Sequence, residues 1–239
     1  MAAELLACGV DLSFAPVLDL GRRRADGGPL CPVIGDRAFH EDPEVVTRLA
    51  GAYVRGMRSA GMAATGKHFP GHGSVEGDSH RVRPVDPRPP QRIWAEDIVP
   101  FARLIRSGLP AVMPAHVVYE KVDDAPAGFS RRWLQAALRG RLGFQGAVFS
   151  DDLAMAAAEW AGDPPARARR ALEAGCDMVL LCNRPEDVPD VLEALRDHHD
   201  PVSQARLVRM HGRPQLDRGA LERDARLAAA RQWAERLSA

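Results

Sequence analysis

The chain has 239 residues, the size of one large domain, with 32 Lys+Arg balanced by 32 Asp+Glu. That zero formal charge leaves no excess of either sign to draw nucleic acid or an anionic membrane surface, so a small or neutral partner molecule is expected. No apolar run reaches the roughly 18 residues needed to span a bilayer.

At the N-terminus, Leu5-Leu6-Ala7-Cys8 has the form of a lipoprotein cleavage box. Glu4 sits where the apolar stretch of a signal belongs and no Lys or Arg precedes it, so a helix end leading into a strand is expected. Residues 10–19 then read as a strand around Phe14-Ala15-Pro16-Val17-Leu18. Residues 45–60 carry helical spacing and stop at Gly61. Residues 62–66 form a short strand running into Lys67-His68-Phe69-Pro70. The Pro-rich stretch 84–90 reads as a loop, 91–107 as a helix, and 111–114 as a strand that delivers Ala115-His116. A helix over 131–142, closed by Gly143, precedes a strand at 147–150 that ends in Asp151-Asp152. Residues 166–174 are helical and 178–182 form a buried strand. Helices are expected over 187–196 and 220–237, with a polar linker at 197–214.

Strands alternating with helices imply a parallel sheet with its polar residues gathered at the C-terminal strand ends. The expected fold is α/β, of the (β/α)8 TIM-barrel type, as a single domain over 1–239. Five strands are counted where a closed barrel needs eight, so the first βα units are expected to be absent. Cys8, Cys31, Cys176 and Cys182 form no CxxC pair and no zinc spacing, which favours reduced thiols and a cytoplasmic location. Cys176 and Cys182 read as packing residues, as do Trp94, Trp133 and Trp160.

The densest chemistry lies in Lys67-His68-Phe69-Pro70-Gly71-His72-Gly73 and Asp78-Ser79-His80. Gly71, Gly73 and Gly77 make the chain between them mobile, suited to a loop that carries a proton donor over a ligand. Asp78 stands two residues from His80, so a turn brings the carboxylate to one ring nitrogen and leaves the other to exchange a proton. A solvated polar loop is the plainer reading. A metal site is disfavoured, because no His pair lies on a helix, Lys67 repels a cation and no Cys assists. No cofactor is expected.

Phe149-Ser150-Asp151-Asp152-Leu153 is the second constellation. Side chains alternate along a strand, so one of the two carboxylates points into the barrel mouth, where it can attack an anomeric carbon. A helix N-cap is the competing role, and Asp152 can cap while Asp151 reacts. His116 either lines the site or is a satisfied core histidine.

Together with Ile34-Gly35-Asp36-Arg37-Ala38-Phe39-His40, these segments resemble glycoside hydrolase family 3. More narrowly they resemble its single-domain bacterial β-N-acetylglucosaminidases of peptidoglycan recycling, in order and interval, from Met1 to about Asn183. The Gly-His-Gly loop leading to Asp-Ser-His is the specific part of the match. The resemblance implies an α/β barrel and a retaining hydrolysis. It implies Asp151 as nucleophile and His80 as acid/base with Asp78 orienting it. Lys67, His68 and Arg37 would then be sugar contacts, and the substrate a muropeptide that loses terminal N-acetylglucosamine from 1,6-anhydro-N-acetylmuramic acid. A monomer is expected. The family's Asp-x-Glu-Gly-Gly-x-Val segment, which supplies an Asp and an Arg to the terminal sugar, has no counterpart in these residues. Two alternatives stand beside hydrolysis. One is an N-acetylglucosaminide phosphorylase, since neutral imidazole does not repel phosphate as a carboxylate would; the other is an inert carbohydrate-binding remnant.

Overall fold

The computed structural model describes residues 1–238. Its strands are β1 (Leu12–Ser13), β2 (Ala63–Phe69), β3 (Val85–Asp86), β4 (Ala111–Pro114), β5 (Val118–Tyr119), β6 (Ala147–Asp152) and β7 (Met178–Leu180). Five of them build one parallel sheet in the order β1-β2-β4-β6-β7. Spatial order therefore follows chain order, as successive βα crossovers require. The expected α/β architecture is present.

The helices are α1 (Ala2–Ala7), α2 (Pro43–Ala60), α3 (Pro90–Ala95), α4 (Ile98–Arg106), α5 (Pro164–Ala174), α6 (Val188–Ala194), α7 (Pro201–Leu207), α8 (Arg218–Glu222) and α9 (Ala225–Ser238). Their starts are written in the sequence. Asp42 accepts from Glu44 N (2.7 Å) and Val45 N (3.3 Å), with Pro43 in the first turn of α2, and Gly61 closes that helix at φ 93°. Asp163 caps α5 and Asp200 caps α7 in the same way. No helix among the described residues is long and apolar enough to cross a membrane.

Alternation along the strands divides the core in two. Val112 and Val148 face the helices, in a cluster with Phe69, Phe101, Leu134 and Trp133. Phe69 meets Phe101 and Trp133 edge-on at 5.3 and 6.0 Å. Ala111, Met113, Ala147 and Phe149 face the other way, against Met210 and Leu207. Asp151 lies two residues beyond Phe149, where the register of β6 with β7 becomes irregular.

Several elements differ from expectation, each for a physical reason. β1 is shorter than the strand read at 10–19. Beyond Ser13 the chain still tracks β2, with Thr65 N donating to Ala15 O (2.8 Å) and Leu18 N to Lys67 O (2.6 Å). Pro16 interrupts the ladder because it has no N–H to give. The helix read at 91–107 is two helices, because Pro100 cannot donate to Glu96 and the break frees buried Asp97 for side-chain bonds. Arg132–Arg141 is helical but of the wide π type.

Residues 84–90 hold more than a loop: β3 pairs in parallel with β5, led by Val118 N to Pro84 O at 2.9 Å. The expected linker at 197–214 is ordered and covers the sheet. Buried Asp177 accepts from Ser203 Oγ (2.6 Å) and Arg206 Nη1 (2.8 Å), which fastens α7 so that Met210 packs on Met113 and Phe149. β7 is the outermost strand, so Met178 is exposed and Cys182 lies exposed beyond it, not packed. Trp133 and Cys176 are buried as read.

Candidate active site

The C-terminal ends of β2, β4 and β6 lie side by side at the middle of the sheet and present Lys67-His68, His116 and Asp151. Asp151 and Asp152 part as strand alternation requires. Asp152 is spent on structure: Oδ1 accepts from Ala154 N (2.9 Å) and Cys182 N (3.0 Å), and Oδ2 from Asn183 Nδ2 (2.9 Å). It fixes the turn after β6 and ties it to the chain after β7. Asp151 receives one backbone bond, from Asp152 N (2.9 Å), and its carboxylate is otherwise open to a ligand.

Burial raises the Asp151 pKa, yet the charges of His68, His116 and Lys67 and the Asp152 N–H outweigh it and hold the carboxyl below its ordinary value. Lys67 shifts the opposite way for a related reason. Burial lowers its pKa, aided by Arg37, while Asp151 and Asp19 favour the charged amine. Asp151 and Arg37 thus both lie within electrostatic reach of Lys67. Arg37 sits exposed on the short turn Gly35–Arg37, its guanidinium donating to Val33 O.

His68 is buried and fixed by a residue not singled out from the sequence. Asp19, wholly buried, takes His68 Nδ1 on Oδ2 at 2.7 Å and also accepts the His68 backbone N–H (3.2 Å to Oδ1). The same Oδ1 accepts His72 N at 2.6 Å. Burial raises the Asp19 pKa, but His68 and His72 overcome it and leave the carboxyl below its usual range. Asp19 ends an apolar run at a strand end, as Asp151 does, so the rule that flagged Asp151 applies to it equally. The Lys67–His68 and Phe69–Pro70 peptide bonds are cis.

His116 is wholly buried and stacks on Phe129 (5.1 Å between centroids, 7° between planes). A Cβ on Gly128 would lie 3.0 Å from its Nδ1, so glycine makes room for the ring. Burial lowers its pKa against the pull of Asp151. The ring has no exposed surface for a ligand, and it lies within electrostatic reach of Asp151.

Asp78 and His80 pair as their spacing implies, with Nδ1 2.8 Å from Asp78 Oδ1, which also accepts His80 N at 2.9 Å. Burial raises the Asp78 pKa, but these two bonds and Arg81 bring it below its ordinary value. A carboxylate can only accept, so Nδ1 carries the proton and Nε2 is left for a ligand. His80 is exposed, and no hydrogen bond joins it to Asp151 among the described residues. Its loop is carried to β6 through backbone bonds, Ala157 N to Ser79 O (3.1 Å) and Ala156 N to His80 O (3.5 Å).

The glycines of that loop serve packing more than mobility. Gly71 has φ 144°, and a Cβ there would meet Asp97 at 2.6 Å; a Cβ on Gly73 would stand 1.9 Å from Leu20 O. Arg88 anchors the loop's far side, bonding Asp86 (2.7 Å) and Asp97 (2.8 Å), while Asp97 accepts from Ser74 Oγ (3.0 Å). A cavity of ≈ 290 Å³ beside the loop reaches Leu20, Arg22, Cys31, Asp36, His40 and Gly73.

Residues 1–210 match the Glycosyl hydrolase family 3 N terminal domain. A β-hexosaminidase of Thioalkalivibrio sulfidiphilus is 62% identical over 221 residues, which is 92% of this chain and 62% of that protein. One from Alkalilimnicola ehrlichii is also 62% identical, over 91% of this chain and 60% of its own length. The chain therefore spans about three fifths of these curated relatives. The crystal structure of NagZ from Neisseria gonorrhoeae in complex with N-trifluoroacetyl-D-glucosamine superposes with a TM-score of 0.85 at 46% identity, covering 100% of this chain and 67% of that one.

Proposed function

This chain belongs to glycosyl hydrolase family 3, and from that premise we propose that it carries the catalytic residues of a retaining β-N-acetylglucosaminidase. Terminal β-linked N-acetylglucosamine is the sugar released, and peptidoglycan fragments ending in 1,6-anhydro-N-acetylmuramic acid are the substrate. The relatives' name of β-hexosaminidase and the N-acylated glucosamine held by the gonococcal protein support that choice. A monomer working in the cytoplasm is part of the same reading.

The observation that carries this reading is the division of labour between Asp151 and Asp152. One carboxylate is consumed by three structural bonds, while the other is kept ionised by a ring of cationic and imidazole groups and left open. In the first step Asp151 attacks the anomeric carbon and forms a glycosyl ester. The bond to the leaving oxygen breaks as protonated His80 delivers its Nε2 proton there. In the second step neutral His80 takes a proton from water, which adds to the anomeric carbon and releases Asp151 and the sugar with retained configuration. Asp78 holds the His80 ring through both steps. Lys67 and His68, fixed at the end of β2, and Arg37 bind the sugar hydroxyls.

The test is a chromogenic N-acetyl-β-glucosaminide followed by trapping with a fluorinated sugar and peptide mapping. Label on Asp151 supports the reading; label elsewhere ends it. Sugar 1-phosphate formed in phosphate buffer, in place of free sugar, would make the reaction phosphorolysis.

A further inference from the structure

Within Asp78-Ser79-His80 the outer two residues are exposed or half-buried, and Ser79 alone is buried, at 2% exposure. Its hydroxyl lies 2.9 Å from His72 Nε2. His72 is itself 2% exposed and held at three points: its backbone N–H on Asp19 Oδ1 (2.6 Å), its Nδ1 beside Cys31 Sγ (3.3 Å), and its ring edge-on to His68 at 6.0 Å. The imidazole is therefore a fixed post, not a mobile side chain.

We infer that the Ser79–His72 hydrogen bond is a latch that sets where His80 sits, making Ser79 and His72 positioning residues for proton transfer. This rests on the acid/base reading of His80. One carboxylate, Asp19, then fixes both the sugar-binding His68 and, through His72, the loop that carries the acid. Among the described residues, the other hydrogen bonds from Ser79 and His80 to segments outside their own turn are two backbone bonds, from Ala156 and Ala157, of which the one to His80 O is long at 3.5 Å. Backbone bonds of that kind leave the segment free to pivot, and the inward hydroxyl removes the pivot. Burial lowers the His72 pKa, with His68 adding to it against Asp19, so the ring is neutral and bridges with one donor and one acceptor nitrogen.

The experiment compares Ser79→Ala, Ser79→Thr and His80→Ala on two substrates, an N-acetylglucosaminide with a sugar leaving group and an activated aryl glycoside. Misplacing an acid costs rate only where the leaving oxygen needs a proton. Ser79→Ala should lose about tenfold or more in kcat on the sugar substrate and little on the aryl one, a weaker copy of His80→Ala. Ser79→Thr, which keeps the hydroxyl, should recover most of the loss. Equal losses on both substrates in Ser79→Ala, beside a selective loss in His80→Ala, overturn the latch and leave the acid/base reading standing. Equal losses in His80→Ala overturn both. A measurement that needs no turnover reads the same bond: amide exchange at Ala156, Ala157, Arg81 and Val82 should rise about tenfold in Ser79→Ala. Unchanged exchange there overturns the latch.

Discussion

Asp19 and His68, 49 residues apart, are joined twice, by the ring nitrogen at 2.7 Å and by the backbone N–H at 3.2 Å. The two hydrogen bonds to one buried carboxylate make the end of β2 a rigid platform, and the chemistry proposed for Asp151 depends on that rigidity.

Asp19→Asn should destabilise the protein at neutral pH by about 3 kcal/mol, because it leaves a buried imidazole and two N–H groups with a weaker partner. The Asp19 pKa is depressed in the folded state, so its contribution is fully present above the unfolded carboxylate value of about 3.9 and is lost as pH falls through the folded value. Urea titrations of both proteins should therefore converge in strong acid. A gap independent of pH would show that the charge on Asp19 contributes nothing.

Asp151→Ala should reduce turnover by at least about 10⁴-fold while substrate binding stays measurable by calorimetry. Among the described residues the carboxylate accepts one hydrogen bond, from Asp152 N, and it also attracts Lys67 and His68, so the melting temperature should fall modestly. Turnover at the parent rate would remove Asp151 from the reaction.

Lys67→Met should move the acid limb of the kcat/KM profile to higher pH. The lysine charge helps to keep Asp151 ionised, so its removal raises the pH at which the nucleophile protonates. A stationary limb would mean that Lys67 acts on the sugar alone.

Gly73→Ala should cost about 3 kcal/mol or more, because the new Cβ falls 1.9 Å from Leu20 O and backbone has to move. Denaturation midpoints of Gly73→Ala and Gly27→Ala would separate this clash from a simple loss of glycine freedom. Gly27 has φ 85° with open space around it, so its cost should come from conformation alone. Equal small losses would contradict the packing role.

Much of this is legible in the sequence alone. Strand alternation is local, so the parting of Asp151 from Asp152 follows from position alone, and the Asp78–His80 pair follows from a two-residue spacing. Contacts between distant segments were not legible. Asp19 meets His68 and His72 only when residues 15–18 lie along β2, and Arg88 meets Asp97 only because Pro100 splits a helix. The stretch 197–214 reads as a linker because charged and polar residues outnumber its apolar ones, although Leu207 and Met210, three apart, share a helical face. They cover the sheet because Asp177 anchors Ser203 and Arg206.

Gly73 is wedged under a carbonyl and Ser79 is bonded to an immobile ring, so the ends of the stretch 74–78 are nailed down. An extended residue adds roughly 3.3–3.6 Å of reach. Inserting or deleting even one residue there shifts the proton donor by about the length of a hydrogen bond, whereas the exposed run 81–83 has slack to absorb such changes. Length drift in this part of the chain should therefore collect after His80 and not before it.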